Sequence, residues 1–121
     1  MFLATTNKAK RLLYLSYLGR VLAEELVRGR EEVEVLVRDW PDGFRVLADF
    51  ERLESMNAAT ATELGRLMDM SNRRGVELVV RVLPDPTKDP GLNILGMFHY
   101  KHPLQVVTCK TMEEAARALG I

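Results

Sequence analysis

The chain has 121 residues, of which 47% are hydrophobic and 28% are charged, and this composition is typical of one globular domain with a sizeable core. Seventeen basic residues balance seventeen acidic residues, so the overall charge indicates neither a nucleic acid nor an anionic membrane as a partner. The single cysteine, Cys109, excludes a disulfide within the chain and favours a cytoplasmic setting. The first residues become polar too early for a signal peptide, and no apolar run predicts a membrane span.

Two strands are predicted at the start of the chain. Residues 11–18 form a short, aromatic-rich run that Gly19 closes, and residues 2–5 are predicted to pair with it. Asn7 is the residue best suited to the turn between them. If the edge of the apolar N-terminal strand is open, it would pair with its own copy across a two-fold axis, so a homodimer is one expectation.

A helix is predicted over residues 21–38. Gly29 costs a helix interior about 1 kcal/mol, and the partial alternation at residues 33–37 also fits a strand. The helix is favoured, and Pro41 accounts for its end because the residue before a proline is pushed out of the helical region. The apolar stripe that predicts the helix consists of Leu22, Leu26, Gly29, Val33, Leu36 and Trp40.

The most informative stretch runs from Phe44 to Val82, because it predicts a parallel βαβ unit with a right-handed crossover. Thr60 and Glu63 have the spacing of a capping box, with Thr60 as the N-cap. Gly75 lies where a left-handed C-cap is expected. The predicted elements are a strand at 44–50, a turn around Glu54, Ser55 and Asn57, a helix at 60–72 and a strand at 76–82.

The last part of the chain predicts a stiff loop followed by three more elements. Three prolines between residues 84 and 90 favour an extended loop. A short helix is predicted at 91–100, a strand at 104–109, and a last helix from Thr111 to Leu119 that opens on a second capping box. The order β-β-α-β-α-β-α-β-α predicts a single α/β domain over residues 1–121, with helices packed on a mixed, mostly parallel sheet of four to five strands.

This order, and the segment Val46–Asp49 followed by a turn to Asn57 and a helix, resemble a STAS domain, the family of anti-sigma-factor antagonists and sulphate-transporter tails. The resemblance covers nearly the whole chain as an order of elements. It implies partner binding without catalysis: in that family an Asp-Ser pair opens the helix, and a partner kinase phosphorylates the serine. Here Asn57 takes the place of the aspartate and Ala58 that of the serine, so this phosphorylation switch cannot operate at position 58.

The predicted binding surface joins the start of this helix to the proline-rich loop and the short helix that follows it. Free amides and the helix dipole at Asn57–Thr60 attract anions, although capping alone also explains these residue types. The expected partner is a protein, such as a kinase-like or other signalling protein. The predicted partner-binding residues are Asn57, Ala58, Thr60, Asp85, Lys88, Asp89, Leu92, Asn93, Met97 and His99.

No catalytic residue, metal or cofactor is predicted, because the sequence contains no nucleophile motif and no glycine-rich phosphate loop. Asp85 and Asp89 would suit magnesium but lack a third carboxylate, and His99 and His102 match no zinc spacing. The predicted function is therefore a non-enzymatic regulatory or protein-interaction module. Two alternatives stay open: a small-ligand or lipid binder with an apolar pocket between helices and sheet, and an enzyme that uses Asp85, Asp89 and His99.

Two further side chains are given structural roles. Asp49 ends a strand and is predicted to accept hydrogen bonds from the amides of the next turn. Cys109 ends a buried strand and is predicted to be a small core residue, not a reactive thiol.

Overall fold

The strands and helices alternate through most of the chain. The computed structural model describes residues 1–84 and 104–121, so the predicted helix at 91–100 lies outside the described residues. The described elements are β1 (Phe2–Asn7), β2 (Leu12–Tyr17), β3 (Gly19–Arg20), α1 (Ala23–Val37), β4 (Phe44–Asp49), β5 (Leu53–Ser55), α2 (Ala58–Arg73), β6 (Val76–Val82), β7 (Gln105–Cys109) and α3 (Met112–Leu119).

Five strands form the main sheet in the order β1-β2-β4-β6-β7. β1 runs antiparallel to β2, and each of the other neighbouring pairs is parallel. This confirms the predicted α/β domain with a mixed, mostly parallel sheet. Asn7 also closes the turn between β1 and β2 as predicted, because its side-chain oxygen accepts a hydrogen bond from the Lys10 amide at 3.2 Å.

A second, small sheet pairs β3 with β5 and was not predicted. The sequence predicts a turn around Glu54 and Ser55 and the end of a strand at Gly19, so both short strands differ from the prediction. Their pairing rests on backbone contacts: the Gly19 amide donates to the Arg52 carbonyl at 2.8 Å, and the Val21 amide donates to the Ser55 carbonyl at 3.1 Å. Backbone pairing over two or three residues leaves no side-chain periodicity that a sequence could show.

The two faces of the main sheet carry different helices, because successive side chains of a strand point to opposite faces. Leu13 and Val46 belong to the core cluster that includes the buried faces of α1 and α2. Leu12 and Leu47, their neighbours in the chain, belong to the cluster that contains Ala115 and Leu119 of α3. The core is therefore two layers of side chains with the sheet between them.

The predicted helix at the α1 segment is confirmed, and the structure explains its internal glycine. A Cβ atom on Gly29 would overlap the ring of Phe2, so any other residue at this position would require the ring to move. Leu26 and Val33, from the predicted stripe, are fully buried.

The turn between α2 and β6 depends on Gly75, as predicted. Its φ of 93° lies in the left-handed region, and a Cβ atom there would lie 2.6 Å from Oδ1 of Asp42. None of the helices formed by the described residues is both long and apolar enough to cross a membrane.

Candidate functional site

The start of α2 forms a corner of the molecule, and its N-cap is Asn57. Asn57 has an extended backbone, with φ −92° and ψ −179°, and its Oδ1 accepts a hydrogen bond from the Thr60 amide at 2.9 Å. The prediction that Thr60 is the N-cap is therefore wrong, and the helix begins at Ala58, two residues earlier than predicted. Asparagine and threonine both cap helices well, so the choice between them required the tertiary structure.

Thr60 instead connects the first turn of α2 to the protein interior by a hydrogen bond of its hydroxyl. Its side chain is fully buried, and its hydroxyl lies 3.0 Å from the Val21 carbonyl oxygen and 3.0 Å from Oδ1 of Asn57. The hydroxyl has one proton, so it donates to one of these two acceptors at a time. Because no surface of Thr60 is accessible, it supports the corner from beneath and does not itself present a contact surface.

Glu63 does not complete the predicted capping box. Its Oε1 lies 2.6 Å from Nη1 of Arg66, and its Oε2 lies 3.3 Å from Nη1 of Arg30. The carboxylate is turned toward α1, so it joins the two helices and leaves the N-terminal amides of α2 alone. The relative exposure of this side chain is 12%, so the contact with Arg30 is only partly screened by solvent.

Asn57, Ala58 and Ala59 are exposed, so the corner is open at its surface. The Ala58 and Ala59 amides occupy the first two helical positions, which have no acceptor within a helix. Within the part of the chain that the structure describes, no other group accepts a hydrogen bond from either amide. Among the described residues, the two amides thus have no acceptor, and they lie beside the methyl side chains of Ala58 and Ala59.

The first turn of α2 also differs in charge from those of the other described helices. It contains no acidic residue, whereas α1 has Glu24 and Glu25 and α3 has Glu113 and Glu114 in their first turns. Carboxylates at these positions offset the partial positive charge of a helix N-terminus. At α2 that charge is not offset by the helix itself.

Asp49 shapes the turn that leads to the corner, as predicted. Its Oδ1 accepts a hydrogen bond from the Glu51 amide at 2.9 Å, and its Oδ2 accepts one from the Tyr14 hydroxyl at 3.1 Å. Both carboxylate oxygens are thus engaged within the protein. The prediction of a structural hydrogen bond to the next turn is confirmed.

The structure describes three of the ten predicted partner-binding residues. The structure brings together Asn57 and Ala58 at the surface with Thr60 beneath them. Asp85, Lys88, Asp89, Leu92, Asn93, Met97 and His99 lie outside the described residues, as does His102. Over residues 1–84 and 104–121, no group of three or more metal-ligating side chains is found.

A small apolar cavity lies between α2 and the sheet, lined by residues that include Leu15, Val46, Leu64 and Met68. Its volume of about 20 Å³ is close to that of a single water molecule.

Arg81, also in the lining of this cavity, was not singled out from the sequence, although a lone arginine in an apolar strand was the signal available. Arg81 is buried, and its Nε and Nη2 lie 3.1 and 2.7 Å from the Thr108 hydroxyl of β7.

Cys109 is buried in the cluster beneath α3, which confirms its predicted place in the core. Burial raises the pKa of its thiol above the usual value, and the nearby Glu114 carboxylate raises it further. The thiol is therefore less reactive than an exposed one.

No protein-family model and no curated protein matches the chain. Solved structures do match it. An uncharacterised protein of the DUF3478 family from Shewanella loihica PV-4, with a SpoIIAA-like fold, superimposes with a TM-score of 0.73 at 12% identity, covering 98% of this chain and 92% of that chain.

The anti-sigma factor antagonist SpoIIAA in its unphosphorylated form gives a TM-score of 0.64 at 20% identity over the full length of both chains. The Bacillus cell fate determinant SpoIIAA in its phosphorylated form gives 0.58 at 15% identity, covering 98% of this chain and 99% of that chain. The chain therefore has the SpoIIAA-like fold of STAS proteins, and the predicted resemblance is confirmed at the level of the fold.

Proposed function

We propose that this protein is a non-enzymatic, STAS-type regulatory module that binds a protein partner at the α2 corner, defined as Asn57, Ala58 and Ala59. The observation that supports it most directly is the combination of exposed, small side chains with two free amides at a helix start that lacks acidic residues. The fold is shared with an anti-sigma factor antagonist, which makes protein binding the expected activity class.

The chemistry of the corner favours an acidic group on the partner. A carboxylate can accept hydrogen bonds from the Ala58 and Ala59 amides and is attracted by the helix dipole. The methyl side chains allow the close approach that these bonds require. The Oδ1 of Asn57 is engaged with Thr60, so the side chain offers the partner its Nδ2 group as a further donor at the edge of the corner.

The binding we propose is not switched by phosphorylation at the position that the family uses. Ala58 stands where the STAS pattern has its serine, and an alanine side chain has no oxygen to accept a phosphoryl group. Binding is then constitutive or set by the abundance of the partner. The zero formal charge, the single cysteine and the absence of catalytic motifs agree with a cytoplasmic module that acts by association.

The proline-rich loop and the segment after it form the second half of the proposed surface. In this proposal Lys88 meets an acidic group of the partner, and Leu92 and Met97 supply apolar contact. The remaining polar contacts come from Asp85, Asp89, Asn93 and His99. The cavity between α2 and the sheet holds about one water, so it has no room for the lipid of the alternative proposal.

A site-specific photo-crosslinking experiment tests the proposal. A benzophenone amino acid is placed at Ala59. As a matched control, it is placed at Val35, which is 61% exposed near the C-terminal end of α1. In the cells that carry the gene, we expect a discrete protein adduct from position 59 and none of the same mass from position 35. Asn57→Arg in the same chain should abolish the adduct, because the long cation occupies the rim of the corner.

Two results would contradict the proposal. One is an identical set of adducts from positions 59 and 35, which would indicate random collision. The other is an adduct from position 59 that persists at full yield with Asn57→Arg. Circular dichroism of each variant establishes that the fold is retained.

A further inference from the structure

β1 lies at one edge of the main sheet, and its hydrogen-bonding pattern fixes which backbone groups face outward. The Leu18 amide donates to the Met1 carbonyl at 2.8 Å, and the Met1 amine donates to the Leu18 carbonyl at 2.6 Å. Met1 and Leu18 are therefore a hydrogen-bonded pair of an antiparallel ladder, in which bonded and non-bonded pairs alternate. The register from Phe2↔Tyr17 to Asn7↔Leu12 is unbroken, so this alternation continues along the whole strand.

It follows that the backbones of Leu3, Thr5 and Asn7 bond to β2. Those of Phe2, Ala4 and Thr6 point their N–H and C=O groups away from the sheet. No described residue is bonded to these outward groups. Among residues 1–84 and 104–121, β1 thus presents three donors and three acceptors in strand geometry along an unpaired edge.

This edge lacks the usual devices that prevent strand pairing. Natural sheet edges are blunted by charged side chains, prolines or bulges, and β1 has none of them within its six residues. The side chain of Leu3 is 49% exposed beside the edge. An uncharged, regular edge strand is a template for another strand.

We propose that β1 pairs antiparallel with β1 of a second copy of this chain, across a two-fold axis at Ala4, so that the two five-stranded sheets become continuous. With the axis at Ala4, the outward groups of Phe2 meet those of Thr6 in the second copy, and Ala4 meets Ala4. Every outward donor and acceptor then finds a partner. Moving the axis to a neighbouring residue would leave some of these groups unpaired, so the strand is self-complementary about Ala4.

Charge also favours a second copy as the occupant. No side chain within the paired segment, residues 2–6, is charged. Lys8 and the Met1 amine lie just beyond its ends, and the charge of the amine is offset by Glu25, whose Oε1 is 3.5 Å away. The formal charge of the chain is zero, so two copies do not repel each other at long range. Leu3 would lie opposite Thr5 of the second copy in a non-bonded pair, where side chains approach most closely.

Amide hydrogen exchange on the unmodified protein tests the geometry. In the dimer, the amides of Phe2, Ala4 and Thr6 should be protected. On dilution to the monomer they should exchange freely, while those of Leu3 and Thr5 stay protected by β2 in both states. Light scattering should show a mass of twice 13.7 kDa that falls toward 13.7 kDa on the same dilution.

A matched pair of double variants tests the register. Leu3→Lys with Thr5→Lys places like charges opposite each other twice in the dimer and should raise its dissociation constant roughly tenfold. Leu3→Lys with Thr5→Glu places opposite charges together and should retain the dimer. Both substituted residues, Leu3 and Thr5, are exposed, so circular dichroism should show both variants folded.

The proposal is overturned if the unmodified protein keeps the monomer mass at every concentration at which it is soluble. It is equally overturned if the exchange of the Phe2, Ala4 and Thr6 amides does not depend on concentration. A dimer that both double variants weaken by the same factor, or that neither weakens, would rule out the Ala4 register. None of these outcomes depends on the α2 corner, so a failure here is distinct from a failure of the proposed function.

Discussion

The N-terminus of α2 is stabilised by different groups from those at the N-termini of α1 and α3. At α1 the Glu25 carboxylate accepts a hydrogen bond from the Leu22 amide at 2.8 Å, and at α3 the Glu114 carboxylate accepts one from the Lys110 amide at 3.0 Å. At α2 the stabilising groups are neutral: the exposed Asn57 side chain caps the helix, and the buried Thr60 hydroxyl contacts the Val21 carbonyl. A helix start that uses its own carboxylates has little to offer an acidic partner, whereas the start of α2 keeps its partial positive charge available.

Among the substitutions at the start of α2, removing the buried hydroxyl of Thr60 should cause the largest loss of stability. Thr60→Val keeps the shape of the side chain but leaves the buried carbonyl of Val21 without its donor, which should cost about 1–3 kcal/mol of unfolding free energy. Thr62→Val is the control, because the Thr62 hydroxyl is exposed and donates only to the Ala58 carbonyl of its own helix. Urea denaturation with an unchanged slope measures both. Equal losses in the two variants would mean that the buried bond does not hold the corner.

Removing the caps compares α2 with α3 directly. Asn57→Ala should cost about 1 kcal/mol, and Thr111→Ala, which removes the Oγ1 that accepts from the Glu114 amide at 3.1 Å, should cost a similar amount. Only Asn57→Ala should also weaken the adduct formed from Ala59, since α3 lies on the other face of the sheet. Loss of that adduct in Thr111→Ala would indicate that binding follows overall stability and not the corner.

Adding a carboxylate to the first turn of α2 makes it resemble the first turns of α1 and α3. Ala58→Glu should raise the free energy of unfolding by about 0.3–1 kcal/mol, because an acid in the first turn interacts favourably with the helix dipole. The gain should shrink in high salt, since the site is exposed. The same variant should bind the partner less well, because its own carboxylate competes for the Ala58 and Ala59 amides. The opposite result, a more stable protein with stronger partner binding, would show that the partner does not present an acidic group.

The resemblance to a STAS fold could be predicted because the elements leave periodic signals. The apolar stripe of α1, the alternation of strands and helices, and glycine at position 75 all arise from local spacing and backbone geometry. Asp49 and Asn7 could also be assigned, because short side chains next to a turn bond to the nearby backbone. These features do not depend on which distant residue lies opposite.

The candidate site was predicted less completely than the fold. The sequence placed the start of α2 within two residues, but Asn57 and Thr60 have similar capping tendencies, and only the position of the Val21 carbonyl assigned one to the cap and the other to the interior. Glu63 had the spacing of a capping box, yet Arg30 of another helix provided a competing partner. Both decisions rest on contacts between residues more than 30 positions apart.

By itself, the sequence determined the class of fold, the alternation of strands and helices, and the absence of a hydroxyl at position 58. The tertiary structure decided which side chain caps α2, why Gly29 is needed beneath Phe2, that β3 pairs with β5, and which amides of β1 face outward. The physical reason is that periodicity and capping propensity act over a few residues. Hydrogen-bond partners and close approaches depend instead on which segments the folded chain brings together.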